Sequence, residues 1–187
     1  AAGGSPDGDW LSRALDDECC DADHAVYDYL ASRGLMESWE MRLFGVLAEG
    51  MGLPPTIERW PRTGHQIVAP LYDEHGEVTC IQARTIKANT PKTLFPKGSR
   101  AQGTVFASQA GIDLLRGRAS GPSGILAEGL TDFLALGTYP HCPGLSAPGP
   151  GLARTAVGAW AQRPTPFPAL RVGGAGQGAI RAGRHAA

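Results

Sequence analysis

The chain has 187 residues, of which 42% are hydrophobic and 19% charged, and its formal net charge is −1 at pH 7. That length supports one buried core, or one domain with a small appendage, without disulfides or a structural metal. No apolar run reaches the roughly 20 residues of a membrane helix, and no charged-then-apolar leader opens the chain, so it reads as cytoplasmic with no membrane partner.

In chain order, residues 1–8 read as a flexible tail and Trp10 to Leu15 as the start of a short helix. Asp21 reads as the N-cap of a second helix, with Ala25, Val26, Tyr29 and Leu30 on its apolar face and Gly34 ending it. Ser38 can cap a third, with Trp39, Leu43, Val46 and Leu47 as its core stripe and Gly50 as its stop. Pro54-Pro55 then breaks the chain. The period changes to two over His65 to Leu71 and Glu77 to Thr85, which flank Tyr72-Asp73-Glu74-His75-Gly76 as a β-hairpin. Residues 87–103 read as a basic loop with two prolines, and Ser108 caps a helix reaching Leu115. After Gly121-Pro122-Ser123-Gly124 the pattern is a short strand, Ile125 to Ala127, a helix carrying Leu130, Phe133, Leu134 and Leu136, a helix over Leu152 to Ala161, a strand over Ala169 to Val172, and a helix start after Ala179. This order predicts an α/β fold: N-terminal helices over 1–60, a basic hairpin and loop subdomain over 61–120, and a small parallel sheet flanked by helices over 121–187. The 26 glycines and 15 prolines make the chain loop-rich against an average share of roughly 12%.

The charge is segregated. Residues 1–49 hold eleven acids and three bases, whereas 84–118 hold seven bases (Arg84, Lys87, Lys92, Lys97, Arg100, Arg116 and Arg118) and one acid, Asp113. A basic block of this density suits a polyanion such as nucleic acid or nucleotide phosphate, or is simply a solvated surface. After Asp132 there is no Asp or Glu in the remaining 55 residues.

The strongest chemical motif is Ile125-Leu126-Ala127-Glu128-Gly129-Leu130-Thr131-Asp132. It sets a carboxylate at the carboxyl end of a buried strand, where α/β sheets place ligands. Asp132 follows one helical turn later, at the same end. Two such carboxylates can hold a hard cation or serve acid–base chemistry; alternatively they only complement a helix N-terminus. Elsewhere the signals are weak. Cys19, Cys20, Cys80 and Cys142 form no CxxC pair, and Cys19-Cys20 with His24 fits no common zinc spacing, so no zinc site is identified. Gly174-Ala175-Gly176-Gln177-Gly178-Ala179 matches a dinucleotide-binding turn, but also a plain flexible one. The five histidines are scattered, and most read as surface or turn residues. Cys80 and the four tryptophans read as packing residues, with Trp60, between Arg59 and Arg62, a minor candidate for stacking on a base.

The segment Glu128-Gly129-x-x-Asp132-x-x-Ala135-Leu136 resembles the first acidic motif of TOPRIM domains, especially those of bacterial and phage DnaG-type DNA primases. The resemblance extends upstream through Pro70, Gly76 and Arg84, then Pro91-Lys92, then Phe95-Pro96-Lys97-Gly98, and covers roughly residues 65–187. It implies that 121–187 is a TOPRIM-like domain, incomplete in this chain. It further implies metal-dependent nucleotidyl transfer on a single-stranded DNA template, in the manner of a DNA-directed RNA polymerase. Arg84, Lys92 and Lys97, with Arg100 of the same block, would then contact template or nucleoside triphosphate. Glu128 would be the catalytic carboxylate, with Asp132 supporting Mg²⁺ or Mn²⁺, and a replicative helicase becomes a possible partner. The family's second acidic motif, Asp-x-Asp, aligns with Arg171 and Gly173, so weak metal binding and weak or absent activity are expected. The rival expectation is a non-catalytic nucleic-acid-binding or replication-adaptor module built on the same basic block; a nuclease or topoisomerase fragment of TOPRIM type is a third.

Overall fold

The computed structural model describes residues 8–15, 21–88, 90–118, 125–135, 144–147 and 171–172. The second predicted helix is α2 (Asp21–Ser32), preceded by α1 (Gly8–Leu15). Val26 and Leu30 are fully buried, while Ala25, expected on the same face, is exposed. The helix ends in a Schellman motif: Leu35 N–H donates to Leu30 O at 2.9 Å and Gly34 N–H to Ala31 O at 3.1 Å, with Gly34 at φ +67°. A residue without a Cβ adopts that left-handed position at little cost.

The third helix is much shorter than expected. α3 (Met36–Glu40) contains Ser38 rather than being capped by it, and the buried Ser38 hydroxyl donates to Leu35 O at 2.6 Å. A second Schellman pair ends it, from Leu43 N–H to Ser38 O and Arg42 N–H to Trp39 O. Here the left-handed position belongs to Arg42, at φ 50°, a conformation costing an L-residue about 1–2 kcal/mol. The predicted stripe Leu43, Val46, Leu47 therefore leaves the helix. Gly45–Val46 form strand β1 instead, and Gly45 lies so close to the Ala14 carbonyl that a Cβ would clash with it.

The hairpin forms as expected from β2 (His65–Tyr72) and β3 (Val78–Thr85). Asp73 Oδ1 accepts from His75 N–H and Glu77 N–H and organises the turn. Within the predicted basic loop a two-residue strand, β4 (Thr93–Leu94), pairs with β3, placing Thr93 opposite Arg84. The first sheet is thus antiparallel, in the order β1-β2-β3-β4. It is buried on both faces, which is why β2 reads as a nearly unbroken apolar run. Ile67, Ala69, Leu71 and Cys80 join Val26, Leu30 and Phe44 in one cluster. Val68, Ile81 and Ala83 join Trp10, Leu11, Leu47, Ile57 and Trp60 in the other, so Trp60 is a core residue rather than a base-stacking one. Pro70 sits in a strand interior without disrupting it. Gln66 O and Tyr72 N, both even-numbered, bond outward on the β1 side. Pro70 faces that same edge, between β1 and residue 105, where a missing N–H breaks no ladder.

The second sheet has the order β5-β7-β6-β8. It comprises β5 (Phe106–Ala107), β6 (Ile125–Glu128), β7 (Gly144–Ala147) and β8 (Arg171–Val172). β6 is parallel to both β7 and β8, while β5 is antiparallel to β7. The strand expected to end at Ala127 extends through Glu128; β5 and β7 have no counterpart among the sequence expectations. α4 (Gln109–Leu115) starts after Ser108, whose Oγ accepts from Gly111 N–H at 3.2 Å, the expected cap. The expected helices over 152–161 and after 179, and the Gly-rich turn at 174–179, lie outside the described residues. The two sheets meet at a bridge between Tyr72 and Val105 and share a core, because Phe106 of β5 and Leu130, Phe133 and Leu134 of α5 (Leu130–Ala135) belong to the same cluster as α2 and the first sheet. Phe106 and Phe133 stack with centroids 5.5 Å apart. Among the described residues no helix is long and apolar enough to cross a membrane.

Candidate nucleic-acid and metal site

Glu128 is the last residue of β6, the strand flanked on both sides by parallel neighbours, and its register partner is Ala147 of β7. The chain then turns sharply through Gly129, at φ +87° with nothing within 4 Å of where a Cβ would lie, and α5 begins. Phe133 N–H closes the first helical turn onto Gly129 O at 3.1 Å, and Ser146 Oγ, from buried β7, donates to the same carbonyl at 2.9 Å. The turn is therefore held from the helix and from the neighbouring strand. Glu128 and Asp132 are both exposed. Neither forms an ion pair among the described residues. The donor set, two open carboxylates, is of the kind Mg²⁺ uses when substrate phosphates and water complete its shell. Among the described residues no group of three or more possible ligands is assembled.

The basic residues come from the first sheet and the loop after it. Arg84 is half-buried near the end of β3, on the face that carries Cys80. Its Nε donates to the Tyr29 hydroxyl of α2 at 3.2 Å. The same ring carries the Arg33 guanidinium 4.9 Å from its centroid. Tyr29 thus orients two guanidinium groups without neutralising either, unlike the carboxylates that pair Arg62 with Glu49 and Arg116 with Glu77. Tyr29, in the last turn of α2, and Arg33, just past its end, stand at i, i+4, a spacing that brings their side chains together on one face.

Lys92, Lys97 and Arg100 are exposed. Lys92 enters β4, and its carbonyl accepts from Thr85 N–H at 3.0 Å. His65 is buried at the start of β2. Its two ring nitrogens lie 2.9 Å from Thr63 Oγ1 and 2.8 Å from Pro91 O. Because a carbonyl only accepts, Nε2 carries a proton and fastens the Pro91-Lys92 segment to the sheet. Lys97 sits in a turn in which the amide and hydroxyl of Ser99 both donate to Pro96 O, at 3.0 and 2.7 Å. The loop 95–104 leads from the Arg84 level of the first sheet to Val105, where the second sheet begins. Ala101 packs against the cluster that contains α2 and α5. Ala101 of that loop and the apolar residues of α5 therefore pack on the face of the first sheet from which Arg84 projects.

No family model and no curated sequence matches the chain. Solved structures do resemble it. One is a DnaG primase catalytic domain bound to ssDNA, with a TM-score of 0.54, 17% identity, and coverage of 82% of this chain and 55% of that one. Another is the RNA polymerase domain of Mycobacterium tuberculosis primase DnaG, at 0.53 and 18%, covering 88% and 62%. A third, from Aquifex aeolicus primase and comprising zinc-binding and RNA polymerase domains, gives 0.54 and 16%, covering 87% and 46%. The chain thus spans about half the length of these structures. The architecture they share with it is α/β, an antiparallel sheet followed by a small mixed one. More particularly, the fold is DnaG-like, similar to part of these primase catalytic domains.

Proposed function

We propose that the second sheet is a TOPRIM-like unit and that the chain acts on single-stranded DNA as a primase-type nucleotidyl transferase core of low activity. The observation that carries this reading is the shared face: one apolar cluster joins the sheet presenting Arg84, the loop presenting Lys97 and Arg100, and the helix that begins beside Glu128. Exposed cations on the first sheet and its loop, together with two open carboxylates at the start of α5, would suit a template backbone or a nucleoside triphosphate meeting a divalent ion. Glu128 and Asp132 would hold Mg²⁺ or Mn²⁺, which supplies charge neutralisation at the phosphates when bound. Arg84, Lys92, Lys97 and Arg100 would hold the backbone phosphates.

Low activity would follow from the departure at the second acidic motif, where Arg171 and Gly173 stand in place of its two aspartates. The same fact supports a second reading, a non-catalytic single-strand-binding or adaptor module. Two measurements separate them. Fluorescence anisotropy with a labelled oligo-dT across a salt series is expected to show binding that weakens in Lys92→Ala and Lys97→Ala, each lowering the slope of log K against log salt by about 0.7. Template-directed primer synthesis with Mg²⁺ or Mn²⁺ is expected to yield trace product abolished by Glu128→Gln. Binding with no product at all favours the adaptor; robust product overturns the low-activity reading; absence of salt-sensitive binding overturns both.

A further inference from the structure

Three large apolar side chains are exposed among the described residues: Tyr27, Val78 and Phe95. Tyr27 is partnered, edge-on to Trp39 with centroids 6.1 Å apart, and Val78 lies at the hairpin end. Phe95 is different. It is 37% exposed, it makes no ring contact with another aromatic residue among the described residues, and in sequence it lies between Lys92 and Lys97 in the most basic part of the chain. Its direction follows from the ladder. Leu94 pairs with Ala83 and packs on the cluster formed with α1, whereas Thr93 pairs with Arg84 on the opposite face. Continued one residue past the end of β4, period-two alternation would set Phe95 toward the Arg84 side. Pro96 restricts Phe95 to extended backbone, and the Ser99 bonds to Pro96 O hold the turn that follows.

An exposed aromatic ring in a basic loop whose lysines form no ion pair among the described residues is the arrangement with which single-strand binders receive a base on the ring and its phosphates on the charges. We infer that Phe95 is a stacking platform for an unpaired nucleobase, with Lys97 on a flanking phosphate. The inference rests on the single-strand reading above and adds a contact that reads the base rather than the backbone.

The test compares two labelled oligonucleotides of equal length, oligo-dT and a fully abasic backbone, binding to the full chain. Phe95→Ala is expected to weaken oligo-dT binding about tenfold and to leave the abasic strand within about twofold of wild type. Phe95→Leu, which keeps apolar bulk without a π-face, is expected to behave like alanine. Phe95→Trp is expected to retain affinity, with its indole emission quenched by oligo-dT and not by the abasic strand. Equal weakening of both strands, or of neither, overturns the stacking role while the single-strand reading stands. A wild-type chain that binds neither strand overturns that reading and this inference with it.

Discussion

The hydroxyl of Ser146 donates to the carbonyl of Gly129 across 2.9 Å, so the strand next to β6 fixes the turn that sends the chain from Glu128 into α5. That carbonyl also accepts from Phe133 N–H. Ser146→Ala therefore leaves it satisfied and is expected to cost about 1 kcal/mol. Gly129→Ala meets no neighbour and costs only the left-handed backbone, about 1–2 kcal/mol. Urea unfolding measures both. A loss well above this in the alanine variant at 129 would show that the turn is crowded.

Two glycines separate crowding from backbone preference more sharply. At Gly34 a Cβ would meet nothing within 4 Å, and the penalty is conformational, about 1–2 kcal/mol. At Gly45 it would strike the backbone of Ala14, which cannot yield as a flexible side chain does. Gly45→Ala is expected to cost distinctly more than Gly34→Ala in the same unfolding assay and to detach α1 from β1. Faster proteolysis near residue 15 in the Gly45 variant alone would report that detachment.

Burial pushes the Tyr72 phenol above its ordinary 10.0, partly offset by the positive charge of Arg116. A raised value means that the folded chain holds this proton more tightly than the unfolded chain. The associated stability is fully present below about pH 10 and is lost as pH rises through the raised value. Tyr72→Phe cannot titrate. Its melting temperature is expected to fall less steeply than that of wild type above about pH 10, and parallel curves would contradict the assignment.

Tyr29→Phe removes the hydroxyl that receives Arg84 Nε and keeps the ring beneath Arg33. Loss of one such bond, about 1 kcal/mol, is expected to weaken oligo-dT binding roughly fivefold with the fold intact. In an Arg84→Ala background the same change should have no further effect. Additive losses would show that Tyr29 acts independently of Arg84.

Where the signal was local, the expected elements formed. α2 carries its stop in Gly34, α4 its cap in Ser108, and the hairpin its two-residue period around Asp73 to Gly76. Elsewhere tertiary contacts outweigh local preference. The stripe Leu43, Val46, Leu47 fits a helix face, but Arg42 adopts the stop position without the glycine that would announce it, and two-sided burial turns the segment into β1. Strands of two to four residues such as β4, β5 and β7 are too short for a period to show. The buried His65 is recognisable only once Pro91 is brought against it.

The amino-acid order alone determined the chemistry available. It determined a basic stretch over 84–118, two carboxylates at the end of a short apolar strand, and no acid beyond Asp132, because charge and apolar spacing are local properties. Only the folded chain decided which of these share a surface. Tyr29 and Arg84 are 55 residues apart and meet because burying the apolar faces of α2, the first sheet and α5 in a single core leaves their polar ends together.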